Sequence, residues 1–116
     1  MITAEQLKDI LDRTDALHRY LDIDRKKIEF EEEDLRTQAP DFWDDPKRAE
    51  EQMKKVKYIK KWIDGYNEVK SCADELQLAF DFYKEEMVTE EEVDENYTKA
   101  LKAIEDLELK NMLRQK

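Results

Sequence analysis

Residues 39–46 read Ala-Pro-Asp-Phe-Trp-Asp-Asp-Pro, and this stretch separates two long helical patterns. Pro40 cannot lie inside a helix, and it disfavours helical torsion angles at the residue before it. Asp45 followed by Pro46 is typical of a helix N-cap with proline at the first helical position. The stretch therefore predicts a first helix that ends near residue 38, a loop over residues 39–45, and a second helix that begins at residue 46.

The segment before the loop has the apolar spacing of one helix over about residues 3–38. Thr3 and Gln6 have the spacing of a capping box at its start. A seven-residue apolar repeat then runs along one side of the helix. Its members are Leu7, Thr14, Leu21, Ile28 and Leu35. Asp24 and Glu31 occupy the partner positions in the second half, so we expect the apolar contact to weaken there.

Two further helices are predicted after the loop. Apolar residues recur at spacings of three and four from Ala49 to Tyr83, which predicts a helix over about residues 46–86. Thr89 and Glu92 have the spacing of a second capping box, which predicts a third helix over about residues 89–114. One glycine and two prolines leave little material for the turns of an all-β fold. We therefore predict an all-α fold in a single domain over residues 1–116: an elongated antiparallel bundle of three helices, in which a long helical hairpin carries the third helix.

Two large aromatic side chains, Phe42 and Trp43, lie inside the loop. Because large apolar surfaces favour burial, we expect both to plug the end of the bundle. The alternative is an exposed aromatic pair that binds a partner. On the second helix, Trp62 lies beside Ile63 and off the centre of the apolar stripe, so we expect it to be partly exposed.

Charge and cysteine content exclude several classes of function. The chain carries 31 acidic and 21 basic residues, a formal net charge of −10. Such a chain is repelled by DNA and by anionic membranes, so neither is an expected partner. Cys72 is the only cysteine, which rules out an internal disulfide and fits a reducing cytoplasm. No apolar run approaches the length of a membrane span.

The residues that usually carry chemistry are sparse. His18 is the only histidine, and it lies on a different predicted helix from Cys72. The sequence offers no Ser/His/Asp arrangement, metal-ligand spacing or glycine-rich phosphate loop. We therefore expect no enzymatic activity, no cofactor, no metal and no small-molecule substrate.

A basic stripe on the second helix is the main candidate binding surface. Its members are Lys47, Lys54, Lys57 and Lys61. The spacing places them opposite Val56 and Ile63, so they should point to solvent. Such a stripe on an acidic chain could bind ribosomal RNA phosphates or an acidic partner. The alternative is a solubilising face whose lysines pair with Glu50 and Glu51.

Two motifs resemble bacterial peptide chain release factors, most closely release factor 2. Leu17-His18-Arg19-Tyr20-Leu21-Asp22-Ile23-Asp24, followed by Lys26 and Lys27, resembles the first helix of that family. Pro40-Asp41-Phe42-Trp43-Asp44-Asp45-Pro46, with Ala49 just beyond, resembles its signature interhelical loop. The two motifs also occur at the family's relative spacing. The resemblance covers essentially the whole chain and is clearest over residues 17–63, whereas the third helix matches only in pattern.

The resemblance implies a larger protein that enters the ribosome at a UGA or UAA stop codon and triggers hydrolysis of peptidyl-tRNA. In that family the codon-reading Ser-Pro-Phe and the Gly-Gly-Gln loop follow this domain, and the present sequence contains neither. The chain would then be the non-catalytic N-terminal docking domain, truncated before the codon-reading and catalytic domains. The implied partners are the ribosomal stalk base, both protein and adjacent rRNA, and the recycling GTPase. A programmed frameshift in the natural gene would fall at the Leu21–Asp22 junction.

Three alternative families remain open on sequence grounds. Release factor 1 has a similar helical domain, and only the Pro-Asp-Phe-Trp loop separates the two. A generic coiled-coil adaptor would dimerise through the seam of the first helix. The helical arm of an aminoacyl-tRNA synthetase would bind tRNA directly, which the net charge opposes.

Overall fold

The computed structural model describes residues 1–114, and the regular structure of these residues is entirely helical. The elements are α1 (Ala4–Tyr20), α2 (Ile23–Arg36), a short 3-10 turn (Phe42–Asp44), α3 (Pro46–Lys84) and α4 (Glu90–Arg114). The predicted all-α class is confirmed for this part of the chain. The predicted number of helices is wrong, because four α-helices replace the expected three.

The helix expected over residues 3–38 is two helices that are broken at Asp22. The backbone of Asp22 lies in the left-handed region, with φ 52° and ψ 53°. A left-handed residue cannot continue a right-handed helix, and aspartate is one of the few non-glycine residues that tolerate this conformation. The apolar repeat carries across the break, so spacing alone did not reveal it.

The break changes which side of the chain is buried. Leu7, Thr14 and Leu21 are buried as the repeat predicts. Beyond the break the repeat fails, because Ile28 is 60% exposed and Leu35 is 66% exposed. The predicted seam is therefore correct for α1 and wrong for α2.

A different set of α2 residues faces inward. Ile23 is fully buried, Glu33 is 7% exposed, and Phe30 is half-buried. These residues lie at spacings of seven and three, so they share one side of the helix. The inner side of α2 thus carries a carboxylate, while its two remaining large aliphatic residues lie outside.

The chain divides into two compact units. One, the α1–α4 unit, contains Met1–Leu21 and the described residues from Tyr66 onward. The other, the α2 unit, contains Asp22–Gly65. The helix α3 contributes its residues through Gly65 to the α2 unit and the remainder to the α1–α4 unit.

Within the α1–α4 unit, helices α1 and α4 run in the same direction. The amide of Ile2 donates to Oδ1 of Asp94 at 3.0 Å, and Nε of Arg13 donates to Oε2 of Glu108 at 3.0 Å. From the first of these bonds to the second, the residue number rises both on the α1 side and on the α4 side, so the two helices must be parallel. The fully buried members of this core include Ile10, Leu17, Val69, Leu76, Val93 and Ile104.

Within the α2 unit, the core consists of one side of α3 with Ile23 of α2. Its buried α3 residues are Ala49, Val56, Ile59, Trp62 and Ile63. The expectation that Trp62 is partly exposed is wrong, because only 4% of it is accessible. Trp62 lies three residues after Ile59 and therefore shares the buried side of the helix.

The helix starts follow the predicted capping residues. The Thr3 hydroxyl accepts a hydrogen bond from the Gln6 amide at 3.1 Å, and Oε1 of Gln6 accepts one from the Thr3 amide at 2.8 Å, which confirms the capping box. Asp45 accepts a hydrogen bond from the Arg48 amide at 3.3 Å, directly before Pro46 opens α3. The capping residues in the sequence therefore predicted the starts of these helices correctly.

The α3–α4 connection lies close to its predicted position. Helix α3 ends at Lys84, shortly before a left-handed Glu86 with φ 58°. The Thr89 hydroxyl accepts a hydrogen bond from the Glu92 amide at 3.2 Å at the start of α4. Across residues 1–114, none of the helices combines the length and the apolar character that a membrane crossing requires.

Candidate docking surface on α3

The four lysines of the predicted basic stripe all lie exposed on α3, within the α2 unit. They are Lys47, Lys54, Lys57 and Lys61. Val56 and Ile63, on the opposite side of the helix, are buried. The exposure that the spacing predicted is therefore present. That this stripe binds a partner stays a prediction.

Most of the stripe is not engaged by neighbouring carboxylates. Lys54 lies 3.6 Å from Glu50, and both side chains are largely exposed. Among the residues that the structure describes, no ion pair within 4.0 Å involves Lys47, Lys57 or Lys61. An exposed ion pair such as that of Lys54 is weak and easily exchanged. The stripe therefore presents its positive charge outward.

Sequence reasoning missed Tyr58, which is 54% exposed within the same stripe. It lies four residues after Lys54 and three before Lys61, so it shares their side of α3. Its ring meets the buried Trp62 edge-on, with 6.3 Å between the ring centroids. The sequence could have predicted this position, because Tyr58 lies at helical spacing from two lysines and outside the apolar stripe.

Glu33 ties α2 to α3 beside the stripe. Nε2 of Gln52 donates to the Glu33 carboxylate and to its backbone oxygen, both at 2.8 Å. Lys55 lies 3.3 Å and Arg36 3.7 Å from the same carboxylate. The hydrogen bond from Gln52, followed by those cations, lowers the pKa of Glu33. Lys55, although itself 50% exposed, is thus paired with Glu33 at the α2–α3 contact.

The loop between α2 and α3 is partly exposed, which corrects the predicted plug. Phe42 is half-buried, but Trp43 is 64% exposed. Their rings meet edge-on with centroids 5.1 Å apart. They belong to a 3-10 turn with three residues per turn, so successive side chains point about 120° apart. Only one of the two can face inward, and that one is Phe42.

The other loop residues surround a cavity of about 370 Å³. Its charged lining residues are Arg36, Asp41, Asp44, Asp45 and Arg48. The three carboxylates and two guanidiniums give this cavity a mixed charge. Pro40 and Pro46 are both exposed at the two ends of the loop. Four residues of the signature loop, Asp41, Phe42, Asp44 and Asp45, therefore line one cavity, while Trp43 lies exposed.

The remaining reactive side chains are engaged in packing. The His18 ring meets the Tyr66 ring edge-on, with 5.1 Å between centroids. Cys72 is buried, and its thiol donates to Glu68 at 3.5 Å. Burial, with a further contribution from Glu68, raises the pKa of this thiol and disfavours the reactive thiolate. Over the described part of the chain, no three His, Cys, Asp or Glu residues are grouped to hold a metal ion.

A family model for the PCRF domain matches residues 26–116. The chain belongs to the PCRF domain family. PCRF domains are the helical domains of class I peptide chain release factors, which act in translation termination. The match covers the loop and the whole lysine stripe on α3, whereas α1 precedes it. Membership does not separate release factor 2 from release factor 1. It argues against a coiled-coil adaptor unrelated to translation.

Proposed function

We propose that this PCRF domain is the N-terminal docking domain of a class I release factor that acts at UGA and UAA, most similar to release factor 2. It positions the factor on the ribosome near the stalk base, where it contacts the stalk-base protein and adjacent rRNA. The observation that carries the proposal is the α3 stripe of Lys47, Lys54, Lys57 and Lys61, which is exposed and, among residues 1–114, largely free of ion pairs.

The charge distribution supports a single orientation of docking. The chain as a whole has a formal net charge of −10, so most of its surface is repelled by RNA phosphates. The stripe gathers four exposed lysines on one side of α3, and it would steer the encounter so that α3 meets the RNA first. Tyr58 adds an exposed ring among the lysines, which suits stacking on a base or contact with a cation of the stalk-base protein.

The loop sequence and the family resemblance supply the rest of the proposal. The Pro-Asp-Phe-Trp sequence at residues 40–43 favours release factor 2 over release factor 1. The proposal takes residues 1–116 as one docking domain. This domain works in the cytoplasm without a cofactor and is not itself catalytic. The recycling GTPase is a second proposed partner.

Charge reversal on the stripe tests the docking role. The variant carries Lys57→Glu and Lys61→Glu, two exposed lysines without ion pairs among the described residues. Its binding to a reconstituted complex of the stalk-base protein with its rRNA fragment is measured by fluorescence anisotropy. We expect affinity to fall by about tenfold or more, with a shallower dependence on salt.

The matched control is Lys102→Glu with Lys110→Glu, two exposed lysines on α4, which changes the net charge by the same amount. It should bind within about twofold of the unmodified chain, because α4 is not part of the proposed surface. Equal affinity of the double variant and the unmodified chain would show that the stripe does not dock. Equal weakening by the control would show that net charge alone, and not the stripe, controls binding.

A further inference from the structure

Helix α2 leaves two of its large aliphatic residues on its outer side, while its inner side carries one carboxylate beside Ile23 and Phe30. Its inner side holds the Glu33 carboxylate, which is 7% exposed and hydrogen-bonded to Gln52. Its outer side holds Ile28 and Leu35, which are 60% and 66% exposed. A helix that packs on one neighbour normally buries its large aliphatic residues and exposes its carboxylates. Ile28 and Leu35 depart from this rule, which makes the outer side of α2 a candidate for a partner contact.

The exposed residues form a continuous surface, here named the α2 outer face: Ile28, Glu31, Glu32 and Leu35. Ile28 and Leu35 lie seven residues apart, which places them about 10.5 Å apart along the same side of the helix. Glu31 and Glu32 lie between them and are exposed. A cavity of about 390 Å³ beside Ile28 is lined by Arg25, Glu29, Glu32 and Glu33. Ile28 and Leu35 thus lie at heptad spacing on one side of α2, and Ile28 also borders this groove, which is lined by α2 residues alone.

We propose that the α2 outer face docks a basic amphipathic helix of a partner protein. The seven-residue spacing matches a helix with aliphatic side chains at its own heptad positions. Glu31 and Glu32 call for lysine or arginine at the positions that flank this apolar seam. The surface lies on α2 and uses none of the α3 lysines, so the inference stands independently of the proposed function.

Charge argues for this occupant over a second copy of the chain. A symmetric pair would place Glu31 and Glu32 of one copy near the same residues of the other, and like charges oppose such a contact. Each copy also carries a formal net charge of −10. The same carboxylates disfavour RNA and anionic membranes. A basic helix is the partner class that satisfies both the apolar residues and the charge.

The test uses a dye-labelled synthetic helix of about three heptads, with leucine at the seam positions and lysine at the flanking positions. A control peptide replaces every seam leucine by serine. Fluorescence anisotropy then measures the binding of each peptide to the whole chain. We expect the leucine peptide to bind about tenfold or more tightly than the serine peptide, because only the former covers Ile28 and Leu35.

Variants of the chain locate the binding site. Ile28→Ser with Leu35→Ser should weaken binding of the leucine peptide by about tenfold or more. Because both side chains are exposed, the fold and its helical circular dichroism should be retained. The matched control is Leu78→Ser with Leu109→Ser, two leucines of the α1–α4 unit that are 53% and 54% exposed, and it should bind normally.

A second, charge-based variant keeps the inference testable without altering apolar residues. Glu31→Lys with Glu32→Lys should also weaken binding and reduce its salt dependence. Equal binding of the leucine and serine peptides, or normal binding by the Ile28→Ser and Leu35→Ser variant, would overturn the inference. So would a concentration-dependent dimer, seen by sedimentation and lost in that variant, because it would make a second copy the occupant.

Discussion

Replacement of Asp22 by valine should destabilise the chain even though the residue is exposed and its side chain makes no capping hydrogen bond. Asp22 has φ 52° and ψ 53°, close to the centre of the left-handed region. Aspartate tolerates this conformation, whereas the two methyl groups on the β-carbon of valine clash with the backbone there. The cost thus comes from the backbone, since no buried contact is lost.

The expected cost is about 1–2 kcal/mol, the usual penalty for a left-handed non-glycine residue. For a chain of this size, such a loss lowers the melting temperature by about 3–10 °C. Asp22→Gly should lie within about 1 kcal/mol of the unmodified chain, because relief of the left-handed strain is offset by greater freedom in the unfolded state. The control Glu31→Val, at an exposed position inside α2, should cost about 0.5 kcal/mol or less.

Urea denaturation followed by far-ultraviolet circular dichroism measures these differences. We expect Asp22→Val to be clearly less stable than Glu31→Val. Equal stability of the two would mean that Asp22 is not held in the left-handed conformation. Helices α1 and α2 would then be one continuous helix, as the apolar repeat alone predicted, and the assignment of the α2 outer face would fail with it.

Three further predictions concern a buried carboxylate, the core and the two tryptophans. The hydrogen bond from Gln52 lowers the folded-state pKa of Glu33, so its contribution to stability is complete above the ordinary glutamate pKa and is lost as pH falls through the lowered value. Thermal melts from about pH 7 to about pH 3 should therefore show a gap between the unmodified chain and Glu33→Gln that closes in acid. Ile104→Ala removes a fully buried side chain and should cost about 2–5 kcal/mol in urea denaturation. Iodide should quench the fluorescence of Trp43, which is 64% exposed, far more than that of Trp62, which is 4% exposed; the single-tryptophan variants Trp62→Phe and Trp43→Phe separate the two signals.

Each of these predictions has a control and a result that would contradict it. The control is Glu32→Gln, at an exposed position on the same helix, and a pH-independent gap for Glu33→Gln would contradict the lowered pKa of Glu33. Leu109→Ala, at a side chain 54% exposed, should cost less than about 1 kcal/mol, and a similar cost at Ile104 would mean that α4 is not packed in the core. Equal quenching of the two tryptophans would contradict the exposed position of Trp43.

Local signals in the sequence predicted the helix starts well. Thr3, Asp45 and Thr89 act as caps in the structure because their side chains hydrogen-bond to amides only three residues away. The exposure of the α3 lysines also followed from spacing, since residues opposite a buried stripe must face water. These features depend on neighbours along one helix, which a single sequence records.

Features that depend on contacts between elements were missed. The seven-residue apolar repeat continues unchanged through Asp22, so it does not reveal the left-handed break or the altered burial of α2. Glu33 is buried because Gln52 and Lys55 of α3 contact it. The sequence alone predicts that a carboxylate on an amphipathic helix faces solvent. The exposure of Trp43 follows from the 3-10 turn at residues 42–44, which the flanking prolines did not reveal.

The central claim is that the α3 lysine stripe docks the PCRF domain at the ribosomal stalk base. The most direct test is an NMR titration of the isotope-labelled chain with the stalk-base ribosomal protein, both free and bound to its rRNA fragment. We expect chemical-shift changes confined to α3 around Lys47, Lys54, Tyr58 and Lys61. Shift changes confined to α1 or α4, or none at concentrations in the tens of micromolar, would contradict it.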